Sequence, residues 1–281
     1  MIPPRRVALT RRALLSSAAV VSTLAATGCA AGPPSVEATL DRSAYGADPS
    51  QFGDLYLPVG TPLGTVVVIH GGYWQQAFGL DQMVPMCRSL QDARYAVWNV
   101  EYRRIDGSGG WPMTFDDVAA GIDHMLTFDT IDAAQVTLVG HSAGGHLAVW
   151  AASRSGTSPG GASAVTIRRC ISLAGVLDLS TAARTGLGGG TVDELMGGTP
   201  ADVPEHYLVG DPTLMVPAGC PVHCLHGADD TVVPAEQSTA YVAAAERAGA
   251  PASFRSVPGD HSSIIDPAGG SWSTIRRLLD A

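Results

Sequence analysis

Lysine is missing from all 281 residues, so the 17 basic side chains are all arginine. Without lysine the chain has no Schiff-base chemistry, no phosphate-binding loop of the lysine type and no serine–lysine dyad. An activated serine in this chain therefore needs histidine as its base. The arginines are outnumbered by 26 acidic residues, and the formal net charge is −9. This balance disfavours a nucleic-acid partner, because neutralising phosphates requires a basic face.

Cysteine is scarce as well, with five residues in the chain. Cys29 belongs to the N-terminal segment, and the others are Cys87, Cys170, Cys220 and Cys224. Their spacing does not fit a zinc site, so we expect no metal, and the chemistry suggested below requires no cofactor. Disulfide bonds and buried free thiols are both compatible with the pattern.

The first 29 residues have the pattern of an export signal. Four arginines precede an apolar run over residues 13–27, which is too short to span a bilayer comfortably. Residues 10–15 resemble a twin-arginine signal. Residues 26–29 resemble a lipobox, in which Cys29 would receive lipid. We therefore expect an exported protein, either a lipoprotein attached to the cell membrane through Cys29 or a secreted protein.

Beyond a linker predicted at residues 30–43, strands and helices alternate through residues 44–281. Continuous apolar runs at 65–69 and 136–139 are typical of strands buried on both faces. Helical patterns lie between the strands. This alternation predicts one α/β domain, with a mostly parallel central sheet that helices cover on both faces. Residues 52–57 are expected to form an edge strand.

Residues 176–219 interrupt the alternation with many glycines and several prolines. We interpret this segment as a small cap-like insertion. It could form a partial lid, or a long connecting loop with one helix near residues 192–196.

The segment Gly140-His141-Ser142-Ala143-Gly144 matches the pattern Gly-x-Ser-x-Gly. It follows the predicted strand at 136–139 and opens a predicted helix at 143–154. A sharp strand-to-helix turn of this kind exposes a serine hydroxyl, which makes Ser142 the candidate nucleophile. The N–H of Ala143, at the start of the helix, is a candidate oxyanion donor.

A second glycine motif, His70-Gly71-Gly72-Tyr73-Trp74, directly follows the strand at 65–69. Glycines let backbone N–H groups turn toward an oxyanion, so Gly72 or Tyr73 would supply the second donor. We expect His70 to anchor the loop from a buried position. Trp74 and His141 are candidates for the substrate pocket, with plain packing as the alternative.

In enzymes that carry the nucleophile on a Gly-x-Ser-x-Gly turn, the acid and then the histidine follow the serine along the chain. We therefore look for the acid and the base after Ser142, in that order. His261 is the only histidine after residue 226, and it follows the predicted last strand. The acid should follow an earlier strand, where Asp229 and Asp230 are adjacent. Asp230 is favoured because it occupies the fifth position of the His-Gly-x-x-Asp turn, and it would fix the tautomer of His261.

Four segments together carry a family resemblance: HGGYW, GHSAGGHLA, HGADDTVVP and the late GDH. With Glu101-Tyr102-Arg103 they are similar to the α/β-hydrolase superfamily, in its esterase and arylformamidase-like branch. The resemblance covers roughly residues 44–280. It implies the α/β-hydrolase fold and a Ser142–Asp230–His261 triad that acts through an acyl-enzyme.

The expected function is therefore that of a carboxylesterase-like serine hydrolase with a small ester as substrate. An arylformamidase-type amide hydrolase is an alternative, although the export signal weakens it, since that branch is mostly intracellular. Acyl transfer to another acceptor and a non-catalytic binding protein on the same fold also remain open.

Overall fold

The computed structural model describes residues 39–280. The predicted export signal, Cys29 and the first part of the predicted linker lie outside these residues. None of the described helices has the length and apolar character needed to cross a bilayer.

Eight strands form one sheet, in the spatial order β1-β2-β4-β3-β5-β6-β7-β8. Their bounds are β1 Thr39–Ala44, β2 Phe52–Leu57, β3 Thr65–Ile69, β4 Ala96–Val100, β5 Val136–His141, β6 Ile167–Leu173, β7 Val222–Gly227 and β8 Ala252–Val257. The pairings of β2 with β1 and with β4 are antiparallel, and the other five are parallel. The mostly parallel sheet predicted from the alternation of elements is therefore confirmed.

Eight α-helices accompany the strands among the described residues. They are α1 Val84–Asp92, α2 Met113–Asp123, α3 Ala143–Ser153, α4 Leu179–Thr185, α5 Thr191–Met196, α6 Pro204–Gly210, α7 Glu236–Arg247 and α8 Trp272–Asp280. Local signals set some of their ends. The carboxylate of Asp178 accepts the N–H of Thr181 at the start of α4, and Gly186 ends that helix in the left-handed conformation.

The central strand β3 is apolar throughout because it is buried on both faces of the sheet. Val67 and Ile69 belong to a core cluster on one face of the sheet, together with residues of α2 to α7. Val66 and Val68 belong to the cluster on the other face, with residues of α1 and α8. Burying such a side chain stabilises the fold by about 1.5–3 kcal/mol. Both faces of the sheet are thus covered, as predicted.

Two expectations about the elements need correction. The predicted linker at 30–43 overlaps β1, which pairs with β2 along its whole length, so β1 and not residues 52–57 forms the edge of the sheet. The insertion at 176–219 contains three helices, α4 to α6, so the alternative of a connecting loop with one helix near residues 192–196 is wrong. Leu179, Val192 and Tyr207 from these helices are buried in the core cluster that contains Val67 and Ile69, which explains why the segment packs on the sheet.

The four described cysteines are free and buried. Of the two alternatives, buried free thiols are therefore what the structure contains.

Candidate active site

Ser142 lies at the turn between β5 and α3, with φ 54° and ψ −119°. A non-glycine residue in this region of backbone space is strained, and such strain occurs preferentially at functional sites. The turn is held by backbone hydrogen bonds. The N–H of Ser142 donates to the carbonyl of Leu173 at 2.9 Å, and its own carbonyl accepts the N–H of His146 at 3.1 Å.

Glycines at 140 and 144 make this turn possible because neither position has room for a side chain. A Cβ on Gly140 would lie 2.0 Å from the carbonyl oxygen of Gly144. A Cβ on Gly144 would lie 2.2 Å from the carbonyl oxygen of Ile69, at the end of β3. The start of α3 therefore packs directly on the strand that leads into the second glycine motif.

Asp230 and His261 are in direct contact beyond the ends of β7 and β8. Nδ1 of His261 lies 2.8 Å from Oδ2 of Asp230. The other carboxylate oxygen, Oδ1, accepts the N–H groups of Val232 and Val233 at 2.8 and 2.9 Å. Burial would raise the pKa of Asp230, but the hydrogen bond from His261 and those two N–H groups hold it below its usual range. The carboxylate is therefore ionised at neutral pH and fixes the orientation of the His261 ring.

His141 lies next to Ser142 in the sequence and contacts this pair. Its Nε2 lies 2.8 Å from the carbonyl oxygen of His261, and the centroids of the two rings are 4.7 Å apart. Burial, followed by the charge of His261, lowers the pKa of His141 to about 3, so this ring is neutral and can donate from Nε2. Among the contacts of the described residues, none is a hydrogen bond between Oγ of Ser142 and Nε2 of His261. Such bonds are often long in uncomplexed enzymes and shorten with substrate.

The loop after β3 turns through three consecutive residues of positive φ: Gly72 at 105°, Tyr73 at 52° and Trp74 at 56°. It passes close to Ser142, since a Cβ on Gly71 would lie 2.9 Å from Cβ of Ser142. Within the described part of the chain, the N–H groups of Gly72 and Tyr73 have no acceptor, and neither has that of Ala143. Because they lack an acceptor, these N–H groups remain candidates for binding an oxyanion at Ser142.

The two pocket candidates are both buried. Trp74 is 0% exposed, and its ring packs edge-on against His146 with 5.3 Å between centroids. Trp74 therefore packs within the core in this structure, and a role for it in a substrate pocket stays a prediction. His141 is 5% exposed and contacts His261, so it packs against the site and has little surface that a substrate could touch.

Tyr73, in contrast, lies half-buried at the insertion. A Cβ on Gly188 would lie 2.6 Å from its ring carbon Cδ1 and 2.6 Å from Oγ1 of Thr191. Burial, together with the charge of Asp230, raises the pKa of Tyr73. Tyr73 thus lies near both the insertion and Asp230.

Sequence reasoning missed the importance of Glu101, which stands at the end of β4. Its carboxylate is bonded to His70 Nε2 at 2.9 Å, to the N–H of Leu80 at 3.0 Å and to Arg104. Together these contacts anchor the loop that contains Gly72 and Tyr73. The sequence did contain a signal for this role, because Glu101 is a charged residue directly after a fully apolar strand. A glutamate is rarely buried unless its charge is paired.

Comparisons with known proteins add to this geometry. The BD-FAE family model matches residues 54–244, a region that ends before His261. A truncated carbohydrate esterase from gut microbiota is 21% identical, with a TM-score of 0.72 over 88% of this chain and 96% of that one. Esterase B from Lactobacillus rhamnosis is 23% identical, with a TM-score of 0.73 over 88% and 85%. An esterase from Thermogutta terrifontis is 20% identical, with a TM-score of 0.67 over 86% and 92%. Comparison with curated proteins gives no match.

The structural likenesses confirm the predicted α/β-hydrolase fold. The family match is independent of them and extends over more than half of the chain. It runs from β2 to α7 and so includes the strands that carry both glycine motifs. On this evidence the chain belongs to the BD-FAE family, a family of α/β-hydrolase-type esterases.

Proposed function

We propose that this protein is a carboxylesterase-like serine hydrolase that cleaves a small carboxylic ester through an acyl-enzyme on Ser142. The observation that carries the proposal is the 2.8 Å contact between Asp230 and His261 at the same end of the sheet as the strained Ser142. Such a pair can orient a base toward a serine that the backbone holds in an exposed turn.

The proposed reaction begins when Ser142 Oγ attacks the ester carbonyl and His261 Nε2 accepts its proton. The negative charge on the carbonyl oxygen is stabilised by the N–H of Ala143 and by that of Gly72 or Tyr73, which have no acceptor among the described residues. His261 then protonates the departing alkoxide, which leaves as the alcohol. Water, deprotonated by His261, hydrolyses the acyl-enzyme and restores Ser142. Asp230 stabilises the imidazolium in both halves of the cycle.

The proposed substrate class is a small ester. One similar structure is described as a carbohydrate esterase, and another, from Thermogutta terrifontis, has butyrate bound. Both descriptions concern those proteins, and they support testing short acyl chains on simple and on sugar alcohols. Tyr73 at the insertion is the side chain that we expect to contact the substrate.

The test is a panel of p-nitrophenyl acetate, longer p-nitrophenyl esters and N-formylkynurenine, assayed with the wild type and with Ser142→Ala. We expect hydrolysis of the short esters by the wild type and none by the variant. Ser172→Ala is the matched control, since Ser172 is another buried serine, on the neighbouring strand β6, and its hydroxyl has no described partner. Activity that survives Ser142→Ala would refute the nucleophile, and preferential hydrolysis of N-formylkynurenine would refute the ester assignment.

We also propose, from the sequence alone, that the protein is exported and attached to the membrane through lipidated Cys29. The experiment is fractionation of cells that express the full chain or Cys29→Ala. Lipidation predicts that the wild type is in the membrane fraction and the variant is not. Equal distribution of the two proteins would contradict it.

A further inference from the structure

Phe78 is an exposed aromatic residue in the loop that follows β3. It is 41% exposed, and its ring packs on Gly72, one of the candidate oxyanion residues. A Cβ on Gly72 would lie 2.3 Å from Cβ of Phe78, 2.4 Å from its Cγ and 2.6 Å from its Cδ2. One part of the ring therefore covers Gly72, and the rest is open to solvent.

The backbone around Phe78 is held by hydrogen bonds on both sides. The N–H of Gln75 donates to the carbonyl of Gly72 at 2.9 Å, and the N–H of Phe78 donates to the carbonyl of Gln75 at 3.2 Å. The carbonyl of Phe78 accepts a hydrogen bond from Arg104 at 2.9 Å. The ring is thus exposed on a fixed backbone, so little conformational entropy is lost when a ligand packs on it.

Two consecutive glycines connect Phe78 to the proposed nucleophile. A Cβ on Gly71 would lie 2.9 Å from Cβ of Ser142, whereas a Cβ on Gly72 would overlap the side chain of Phe78. Consecutive Cα atoms are about 3.8 Å apart, which places Phe78 and Ser142 within roughly 12 Å of each other. A small ester that is bound at Ser142 can reach the ring across this distance.

The order of the strands places Phe78 and His261 on opposite sides of Ser142. Ser142 follows β5, which lies between β3 and β6 in the sheet. Phe78 belongs to the loop after β3, and His261 follows β8, beyond β6 and β7. In the proposed reaction the leaving alcohol takes a proton from His261, so the alcohol part of the ester lies on that side. The acyl part then extends away from His261, toward the loop that contains Phe78.

We propose that Phe78 is a specificity-determining residue whose exposed ring packs on the acyl chain of the ester. The proposal rests on the proposed function, since the two sides are defined by the roles of Ser142 and His261. Apolar contact with the ring contributes more as the chain gains methylene groups. Phe78 therefore favours a butyryl chain over an acetyl chain, and it has little influence on the choice of alcohol.

The proposal is tested by the acyl selectivity of Phe78→Ala. The value of kcat/KM is measured for p-nitrophenyl butyrate and p-nitrophenyl acetate, and the ratio of the two is compared with that of the wild type. We expect the ratio to fall about 10-fold, because the additional methylene groups lose their apolar contact. Phe78→Leu keeps an apolar surface and should restore most of the ratio. An unchanged or increased ratio in Phe78→Ala would overturn the proposal.

A matched variant controls for the loss of an exposed phenylalanine. Phe254 is 38% exposed and lies in the middle of β8, so Phe254→Ala should keep the wild-type ratio. A second series, phenyl acetate and naphthyl acetate, varies the alcohol while the acyl group stays fixed. Phe78→Ala should change the ratio of these two esters by less than about twofold. A larger change in the alcohol series than in the acyl series would place Phe78 beside the leaving group and contradict the proposal.

Binding of the product acids tests the contact without any turnover. The chain has five phenylalanines, so carbon-13 labelling of phenylalanine in the full chain gives few ring signals. The signals of Phe78, assigned by their loss in Phe78→Ala, should shift with sodium butyrate and much less with sodium acetate.

This measurement separates the contact from the proposed function. No shift of Phe78 with butyrate would overturn the contact, even in a protein that hydrolyses esters through Ser142. A shift in a protein that hydrolyses no ester would support the contact and refute the proposed function.

Discussion

Two adjacent aspartates after β7 occupy opposite environments. Asp230 has a side chain that is 1% exposed and bonds to His261, whereas Asp229 is exposed. This difference follows from the turn, because the N–H groups of Val232 and Val233 draw the carboxylate of Asp230 inward.

The two aspartates therefore make a paired test of the acid. Asp230→Asn should lower kcat by about 10⁴-fold, since the amide favours the wrong tautomer of His261. Asp229→Asn changes the neighbouring position without touching His261 and should keep the wild-type rate. Steady-state hydrolysis of p-nitrophenyl acetate measures both, and a similar loss in the two variants would exclude the assignment of Asp230.

At the residue scale, sequence reasoning works where a short motif determines its own geometry. Ser142 lies in a turn that is set by Gly140 and Gly144, so its strained conformation could be predicted from five residues. The burial of Trp74 could not, because it depends on which side of the loop the ring faces. Glu101 was missed for a similar reason, since its partners His70 and Leu80 come from other parts of the chain.

Between α4 and α5 lies a run of glycines, with positive φ at Gly186, Gly188, Gly189 and Gly190. Two of them differ only in their neighbours. A Cβ on Gly188 would meet Tyr73 at 2.6 Å, whereas one on Gly189 would have nothing within 4 Å. Their φ angles are 72° and 70°, so the backbone strain of a substitution is the same.

Substitutions at Gly188 and Gly189 therefore distinguish the effect of backbone strain from the effect of displacing Tyr73. Gly189→Ala should lower the free energy of unfolding by about 1 kcal/mol and leave kcat/KM unchanged. Gly188→Ala should lower stability further, and it should reduce kcat/KM by about 10-fold because Tyr73 must move. Urea denaturation and ester kinetics on both variants give the comparison. Equal kcat/KM in the two would show that Tyr73 has no part in the site.

At the element scale, the buried strands could be predicted from their apolar runs, but β1 could not. Its sequence, Thr-Leu-Asp-Arg-Ser-Ala, is mostly exposed and has no clear alternation. Its pairing depends on β2, and Arg42 reinforces it with a bidentate bond to Asp54 at 2.7 and 2.9 Å. The helices of the insertion were equally hard to predict, because Leu179, Val192 and Tyr207 are buried through contacts with distant residues of the same core cluster.

For the molecule as a whole, buried neutral histidines couple stability to pH. Burial lowers the pKa of His141 to about 3 and that of His146 to about 4, from an ordinary value of 6.5. Below pH 6.5 the unfolded chain binds protons at these positions and the folded chain does not. Their contribution to stability is therefore complete above pH 6.5 and declines as the pH falls toward 4 and 3.

The expected size of this effect is about 2 kcal/mol per histidine between pH values of roughly 7 and 5. Unfolding by urea at the two pH values should show the loss in the wild type. His146→Gln should lose about half as much, whatever its absolute stability, because one of the two groups is gone. The same pH dependence in both proteins would rule out His146 as a contributor.

The order of the strands also determines which part of the site is most easily lost. Ser142 follows the central strand β5, whereas Asp230 and His261 follow β7 and β8 at one border of the sheet. Among the described strands, β8 has a neighbour on one side only, and most of its residues are exposed. Border segments open with less free energy than the core. On warming, the protein should therefore become inactive while most of its sheet still resists hydrogen exchange, and it should recover at once on cooling.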